Sequence, residues 1–214
     1  MRRYGGNCMD MRSQIMDASR RLFLERGYRG TSMREIAAAC GIKVGNLNYY
    51  FRKKEDLLML HHNNLMDSYC GSLPAEFFSE PWSGYIAVEY CFLRAIAESE
   101  AALRLYNEVV NVPSLREVYC AKHHELFLRF FPEDGFELDS REVYFSTVSM
   151  CAVEFQMMEQ YARYKGVVAF DSLTRYFFLT RLTTLHLDDG GRIDAGISLG
   201  NEYYANVLRD LRLE

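Results

Sequence analysis

Apolar residues recur along most of this chain at the three- and four-residue spacing of amphipathic helices, and the alternating pattern of a strand is almost absent. The first stripe joins Ile15, Ala18 and Leu22, and Gly27 follows it where a helix would end. We predict helices that cover about 11–26, begin near Met33 and at Val44, and then cover about 53–69, 82–98, 100–110, 114–131, 140–164, 171–187 and 193–211. The pattern therefore predicts an all-α fold of about nine or ten helices.

The segment 32–51 has the pattern of a helix-turn-helix. Ser32 and Glu35 stand at the Ser-x-x-Glu spacing of a capping box, in which two side chains satisfy free amides at the start of a helix. Gly41 follows this helix and can take the positive φ angle of a tight turn. Leu47 and Phe51 lie four residues apart on the next helix, so both can pack against the first one.

The opposite face of the second helix carries side chains that a protein core does not need. They are small, polar or aromatic residues, namely Lys43, Val44, Gly45, Asn46, Asn48, Tyr49 and Tyr50. Small residues let a helix backbone come close to another surface, and amide and phenol groups form hydrogen bonds. This composition is typical of a recognition helix in the major groove of DNA.

The segment from Ile15 to Leu58 resembles the N-terminal DNA-binding domain of TetR-type (tetracycline-repressor-like) transcriptional regulators. The residues that carry the resemblance are Ile15, Ala18, Leu22, Phe23, Gly27, Thr31, Ile36, Ala37, Gly41, Gly45, Leu47, Tyr49, Tyr50, Phe51, Lys54, Glu55 and Leu57. Two positions depart from the family pattern, because Lys43 stands where a better helix cap is usual and Asn48 where tyrosine is usual. Asn48 replaces a phosphate-directed phenol with an amide that can pair with adenine.

The resemblance implies a helix-turn-helix domain at 1–52 and a helical ligand-binding and dimerisation domain at 53–214. It also implies a homodimer that associates through helices 140–164 and 171–187, and a repressor that a small molecule releases from a near-palindromic operator in double-stranded DNA. Phosphate contacts are expected from Arg34, Lys43, Tyr49, Tyr50 and Lys54, and base contacts from Val44, Gly45, Asn46 and Asn48. Two alternatives remain open: a regulator controlled by a partner protein or by no ligand, and a ligand-binding or catalytic helical protein whose N-terminal domain does not read DNA.

The charge of the chain supports an interaction of its N-terminal part with DNA. The net charge is −4, but residues 1–60 carry 12 Lys and Arg against 6 Asp and Glu, a net of +6, which leaves −10 for the remainder. Such an asymmetry is expected where one end of a protein approaches phosphate. Arg2 and Arg3 either add a minor-groove arm to this end or belong to a disordered tail.

The C-terminal part is rich in aromatic residues and methionine, and the resemblance implies an apolar ligand pocket within it. The resemblance places the pocket among the helices around 82–131 and 140–164, with candidate residues Tyr85, Phe92, Tyr106, Tyr119, Phe127, Phe155 and Met158. Ordinary core packing is the competing interpretation for each of them. Glu89, Glu108 and Glu154 lie among these aromatics and could meet a cationic ligand, although solvent-facing carboxylates are the simpler expectation.

The remaining features predict no enzyme, no metal and no cofactor. His61, His62, His124 and the Cys120-x-x-His123 pair offer metal ligands, but no further ligand follows at a recognisable spacing, so polar surface positions are expected. No phosphate loop or nucleophile motif occurs. The six cysteines are widely spaced, which indicates reduced, mainly buried thiols. Without a signal peptide or an apolar run of about 18 residues, we expect a cytoplasmic protein with no membrane association.

Overall fold

The protein is all-α, as predicted. The structure, a computed structural model, describes residues 10–71, 74, 76–132, 139–164 and 166–206, except for the side chains of 68–71, 76, 205 and 206. Over these residues the chain forms eleven helices and no β-strand. The helices are α1 (Met11–Arg26), α2 (Met33–Ala39), α3 (Val44–Tyr50), α4 (Lys54–Gly71), α5 (Glu76–Ser79), α6 (Pro81–Glu98), α7 (Glu100–Val109), α8 (Pro113–Phe130), α9 (Ser140–Arg163), α10 (Phe170–Thr184) and α11 (Arg192–Asn206).

The chain divides into two compact units, Met1–Asn64 and Leu65–Glu214, which we call the head and the body. The division falls within α4, whereas the sequence placed a boundary at 52/53, in the loop before this helix. The predicted helices agree with the observed ones to within one turn, although the end of the last one lies outside the described residues. The sequence did not predict α5, because four residues are too few to show a helical period.

The helix-turn-helix of the head forms as the sequence indicates. The Ser32 hydroxyl accepts a hydrogen bond from the Glu35 amide at 3.3 Å, and the Ser32 amide donates to the Glu35 carboxylate at 2.9 Å. This confirms the capping box at the start of α2. Gly41 has a φ of 67°, and Leu47 and Phe51 are buried beneath α3. A positive φ angle disfavours side chains with a Cβ, so glycine sets the turn between α2 and α3.

The turn between α1 and α2 is held from two directions. Within the turn, the buried Thr31 hydroxyl donates to the Gly27 carbonyl at 2.8 Å. From α4, the Lys54 ammonium donates to the carbonyls of Tyr28 at 2.6 Å and Thr31 at 2.8 Å. The Tyr28 hydroxyl donates to the Glu55 carboxylate. The first turn of α4 therefore fixes the geometry of the helices that precede it.

Helix α6 lies at the centre of the body. Its residues from Gly84 to Leu93 are all buried. Helix α11 lies unusually close to it, because a Cβ added at Gly196 would be 2.4 Å from Ile86 Cγ2 and one at Gly200 would be 2.8 Å from Tyr90 Cδ1. Neither distance leaves room for a methyl group, so two glycines permit this contact.

The cysteine prediction is confirmed where it can be compared. Three cysteines of the body are free and buried, namely Cys91, Cys120 and Cys151, and Cys40 of the head is free and half-buried. The side chains of Cys8 and Cys70 lie outside the described residues, as does the predicted arm at Arg2 and Arg3.

Candidate nucleic-acid interface and ligand site

Helix α3 presents one buried side and one exposed side. Leu47 is buried, whereas the residues predicted to meet DNA form a surface that we call the reading face: Lys43, Val44, Gly45, Asn46, Asn48, Tyr49 and Tyr50. All of them are exposed except Val44, which is half-buried. Tyr49 is 86% exposed, and its ring meets the edge of the Tyr50 ring with 5.4 Å between centres. Large aromatic side chains so open to solvent are available to a partner surface.

The reading face has unused hydrogen-bonding capacity. Among the residues that the structure describes, the side chains of Lys43, Asn46 and Asn48 form no hydrogen bond or ion pair, and neither does that of Arg34, exposed on α2. A Cβ added at Gly45 would meet nothing within 4 Å. The backbone of α3 can therefore come close to a partner, and the amides can reach base edges.

Lys54 occupies a different environment from the rest of the predicted DNA contacts. Its ammonium is half-buried and lies 3.9 Å from the centre of the Tyr28 ring, in addition to its two carbonyl partners. Those partners stand 26 and 23 residues earlier in the chain, so no local pattern could reveal them. The geometry gives Lys54 a structural role in the head.

A second polar contact inside the head joins α1 to α4. The buried Ser19 hydroxyl and His61 Nε2 are 2.9 Å apart, and the His61 ring meets the Phe23 ring at right angles. Burial lowers the pKa of His61 to about 4, and the charge of Arg20 acts in the same direction. His61 is therefore neutral near pH 7, and it is half-buried where a surface position was expected.

The interior of the body holds a cluster of polar side chains around Glu154. This residue of α9 is 1% exposed, and its Oε1 accepts hydrogen bonds from the hydroxyls of Tyr106 and Tyr119, the latter at 2.5 Å. Its Oε2 has no hydrogen-bond partner in the described part of the chain. Burial raises the pKa of Glu154 to about 7, although the charge of His123 and the two phenols oppose the rise. The prediction of a solvent-facing Glu154 is therefore wrong.

Glu89 and His123 form the second part of this cluster. Neither side chain is exposed, and Glu89 Oε1 lies 2.9 Å from His123 Nδ1. Burial disfavours the imidazolium, but the facing Glu89 carboxylate outweighs it, so the pKa of His123 lies above its ordinary value. The predictions of a solvent-facing Glu89 and a surface His123 are wrong, because their partners lie on different helices and no single helical pattern shows them. Glu108 is half-buried.

Arg181 of α10 is a buried cation that the sequence analysis missed. It is 1% exposed, and its Nη1 donates to the Thr147 hydroxyl at 2.9 Å. Its guanidinium carbon lies 3.8 Å from the centre of the Phe127 ring. Nε and Nη2 have no hydrogen-bond partner within the described residues. Arginine is rarely buried without a paired acid. Nothing in the sequence near Arg181, where threonines stand on the same helix, indicates that this side chain lies in the interior.

The residues predicted to line a pocket lie in the interior of the body. Six of the seven are buried and Phe155 is half-buried. Tyr106, Tyr119 and Phe155 pack together beside Glu154, while Tyr85 and Phe127 form an edge-to-face pair with 5.2 Å between centres.

A cleft between α6, α9 and α10 has about 240 Å³ of empty space, part of it open to solvent. We call it the α6–α9–α10 cleft, and its lining residues are Leu93, Glu154, Met157, Met158, Tyr161, Phe170, Leu173, Thr174 and Phe177. Of the predicted pocket residues, Met158 lines it.

Among the described residues, no group of three or more His, Cys, Asp and Glu side chains is arranged to hold a metal ion. Over the same part of the chain, none of the helices has the length and apolar character needed to cross a bilayer.

Comparison with known proteins adds to this geometry. The family model for bacterial regulatory proteins of the tetR family matches residues 15–59. HbdR, an HTH-type transcriptional regulator of Aromatoleum sp. (strain CIB), is 34% identical over 67 residues, which are 31% of this chain and 29% of HbdR. KstR2, an HTH-type transcriptional repressor of Rhodococcus jostii (strain RHA1), is 43% identical over 47 residues, which are 22% of this chain and 23% of KstR2. The matched segment thus spans less than a third of either curated relative.

The likeness of fold extends further than the likeness of sequence. The crystal structure of RolR in complex with its ligand resorcinol superposes with a TM-score of 0.58 and covers 87% of this chain and 92% of that chain. Its sequence is 14% identical, so the comparison shows a shared fold.

Proposed function

We propose that this chain, whose residues 15–59 match the family model for bacterial regulatory proteins of the tetR family, is a cytoplasmic, homodimeric transcriptional repressor that a small molecule releases from DNA. The reading face is the observation that carries the proposal, because six residues of α3 and the preceding Lys43 form one surface on which all but the half-buried Val44 are exposed. The named relatives HbdR and KstR2 are a transcriptional regulator and a repressor, which supports the same function.

The side chains of the head divide into two roles on DNA. Arg34, Lys43, Tyr49 and Tyr50 would contact phosphates, because cations and phenols at the rim of a recognition helix reach the backbone. Val44, Gly45, Asn46 and Asn48 would meet base edges, where the asparagine amides can pair with adenine. Lys54 is reassigned, since its ammonium already bonds two carbonyls of the head.

The proposed homodimer uses the exposed sides of α9 and α10. Each helix presents an outward stripe without charged residues, which together we call the dimer stripe: Phe145, Ser149, Ala152 and Gln156 on α9, and Ser172, Tyr176, Leu179 and Thr183 on α10. Phe145 is 67% exposed and Tyr176 is 68% exposed. Depletion of charge with exposed aromatic residues is typical of the core of a protein interface.

Release from DNA would follow from a shift between two shapes of the protein, one of which binds the ligand better. Helix α4 is the covalent link between the two compact units, and its first turn holds the α1–α2 turn through Lys54. A movement of α4 would therefore move the helices that read DNA. Two heads spread beyond about 34–36 Å would no longer enter successive major grooves.

The test is selection of bound DNA from a random pool, with the full-length protein at near-physiological salt. We expect an enriched near-palindrome with half-sites about one helical turn apart. On this site, Asn48→Ala is expected to weaken binding by about 1–3 kcal/mol, with little change on unrelated DNA, because it removes a base contact. Asn64→Ala, at an exposed asparagine outside the reading face, is the matched control. Absence of an enriched sequence, or equal losses on both DNAs for Asn48→Ala, would contradict the proposal.

A further inference from the structure

Two free cysteines of the body lie in contact across α8 and α9. The Cys151 thiol on α9 donates a hydrogen bond to the Cys120 sulfur on α8, and neither cysteine belongs to a disulfide. Both are buried, but Cys120 is 6% exposed whereas Cys151 is 0% exposed. A two-electron oxidation converts two thiols in such contact into a disulfide.

The packing of α8 on α9 fixes this pairing. Before it along α8, the Tyr119 hydroxyl donates to Glu154 at 2.5 Å, and after it His124 Nδ1 lies 3.2 Å from the Thr147 hydroxyl. Residue numbers fall along α9 as they rise along α8, so the helices are antiparallel and the two cysteines stand between these contacts. The sulfur atoms therefore face each other because of the way the helices pack.

Cys120 differs from the other described cysteines in the acidity of its thiol. The hydrogen bond from Cys151 and the charge of His123, one turn along α8, hold the pKa of Cys120 below its ordinary value, although burial opposes them. Burial raises the pKa of Cys40, and it raises the pKa of Cys91 to about 12. The thiolate is the nucleophilic form of cysteine, so Cys120 is the thiol prepared to react.

We propose that Cys120 and Cys151 form a reversible disulfide when the protein meets a hydroperoxide. The Cys120 thiolate attacks one oxygen of the peroxide, the O–O bond breaks, and the leaving oxygen takes up the proton that the thiol released. The Cys151 sulfur then attacks the sulfenic acid on Cys120, the S–O bond breaks, and the hydroxyl leaves as water with the proton of Cys151. With hydrogen peroxide the products are one disulfide and two waters, and the peroxide gains the two electrons that the thiols lose.

A disulfide at this place would act on α9, which carries half of the dimer stripe. An S–S bond is about 2.05 Å long, so α8 and α9 must approach each other from the separation of a hydrogen bond. In a cytoplasmic protein such disulfides are usually transient and sense the redox state. We expect the displaced α9 to weaken the dimer and to lower affinity for the selected DNA by about tenfold or more. This regulatory part rests on the proposed function, whereas the disulfide itself does not.

The test treats the reduced full-length protein with hydrogen peroxide at about pH 7.5, blocks the remaining thiols after denaturation and maps the tryptic peptides by mass spectrometry. Trypsin places the two cysteines on separate peptides, 117–122 and 142–163, each of which contains one cysteine. We expect these peptides to be joined by a disulfide that dithiothreitol breaks. Cys120 should lose its thiol at least about tenfold faster than Cys91.

Two variants separate the roles of the two thiols. Cys151→Ser should leave Cys120 as a sulfenic acid that dimedone traps, whereas Cys120→Ser should leave the Cys151 thiol intact at the same peroxide concentration. Cys91→Ser is the matched control, because it removes a buried thiol of the body that lies outside the pair. This control should form the disulfide as the wild-type protein does.

A disulfide between any other two cysteines of the wild-type protein, or loss of the Cys91 and Cys120 thiols at equal rates, would overturn the assignment. So would two intact thiols at a peroxide concentration that oxidises the methionines of the same molecule. These results are distinct from failure of the proposed function, which is a failure to bind any selected DNA. If the disulfide forms and the oxidised protein binds the selected DNA as tightly as the reduced one, the modification site stands and its regulatory part is wrong.

Discussion

Gly45 of the reading face has no evident task in the fold of the head. It lies in α3 without a positive φ angle, and a Cβ there would touch nothing. Glycine is nevertheless less favourable than alanine within a helix by up to about 1 kcal/mol. Glycine at this position lowers stability and serves no contact within the head, so we explain it by a close approach of DNA to the backbone of α3.

Gly45→Ala is therefore expected to act in opposite directions on stability and on DNA binding. The free energy of unfolding should rise by up to about 1 kcal/mol, since alanine has the higher helix propensity. Affinity for the selected DNA should fall by about tenfold or more, because the methyl group separates α3 from the groove. Urea denaturation and DNA titration measure the two effects. Ser198→Ala, on the exposed side of α11, is the control and should leave DNA binding unchanged. If Gly45→Ala binds the selected DNA as tightly as the wild-type protein, α3 does not approach the groove closely at this residue.

His61 makes the stability of the head depend on pH. Its pKa is about 4 in the folded head, below an unfolded value of about 6.5, so the unfolded chain binds more protons between these values. Stability is therefore retained above about pH 6.5 and falls as pH decreases towards 4. Relative to His61→Gln, the wild-type head should lose about 2 kcal/mol from pH 7 to pH 5. Hydrogen exchange of the α1 amides at pH 7 and pH 5 measures this loss of stability. His186→Gln, at an exposed position of the body, is the control. The same loss in both His61→Gln and wild type would contradict the assignment.

Among single residues, the sequence predicted those whose partners are local. Ser32 and Glu35 are three positions apart, so their capping box could be predicted from spacing alone, and the exposure of Asn48 followed from the burial of Leu47 on the other side of one helix. Glu89 and His123 belong to α6 and α8, and their pairing depends on how those helices pack. Polar residues that satisfy one another in the interior look the same in a sequence as polar residues that meet water.

At the scale of elements, the first turn of α4 acts as a clamp on the preceding helices. Lys54 and Glu55 are neighbours in the chain and hold opposite ends of the same residue, since Lys54 bonds the Tyr28 carbonyl and Glu55 accepts from its hydroxyl. Tyr28 lowers the pKa of the Glu55 carboxyl through this hydrogen bond, although burial opposes the shift. The geometry of the head thus depends on the helix that leaves it.

Lys54→Ala and Lys43→Ala should consequently have different effects. Lys54→Ala is expected to destabilise the head by about 1–2 kcal/mol, because two carbonyls lose a charged donor, while the salt dependence of DNA binding by the folded protein stays nearly the same. Lys43→Ala should leave stability unchanged and reduce the slope of log affinity against log salt by about one, because one phosphate contact is lost. Denaturation and DNA titration at several salt concentrations separate the two. If both variants reduce the slope of log affinity against log salt equally, Lys54 contacts a phosphate as Lys43 does.

Helix positions could be predicted from the pattern of apolar residues more completely than helix faces. The sequence of α9 contains two apolar stripes, one through Val148 and Cys151 and one through Met150 and Glu154. In the structure both stripes lie mostly against the body, and the dimer stripe through Phe145 is a third one. A helix with apolar residues on most sides does not show by its period which side faces out.

At the scale of the whole molecule, the dimer stripe should decide whether the protein binds its operator. Tyr176→Glu places a charge in the centre of the proposed interface, so the dimer dissociation constant should rise by about a hundredfold or more. The monomer should keep its helical content, since Tyr176 is 68% exposed. Affinity for a palindromic site should fall with the loss of the second head.

Sedimentation velocity at several concentrations measures the association. Val118→Glu, at an exposed apolar residue of α8, is the control and should remain dimeric. A Tyr176→Glu protein with an unchanged dissociation constant would exclude this stripe as the interface.

The close contact of α6 with α11 has a mechanical consequence for the body. The side chains of Ile86 and Tyr90 lie against the α11 backbone at Gly196 and Gly200. A small sliding movement of the two helices would bring these side chains into steric clash with that backbone. The α9 side of the α6–α9–α10 cleft, around Met157, contains long side chains that change rotamer at little cost. The α6–α11 contact is therefore stiffer than the α9 side of the body. A bound molecule should displace side chains of α9, while α6 and α11 move together as a rigid pair.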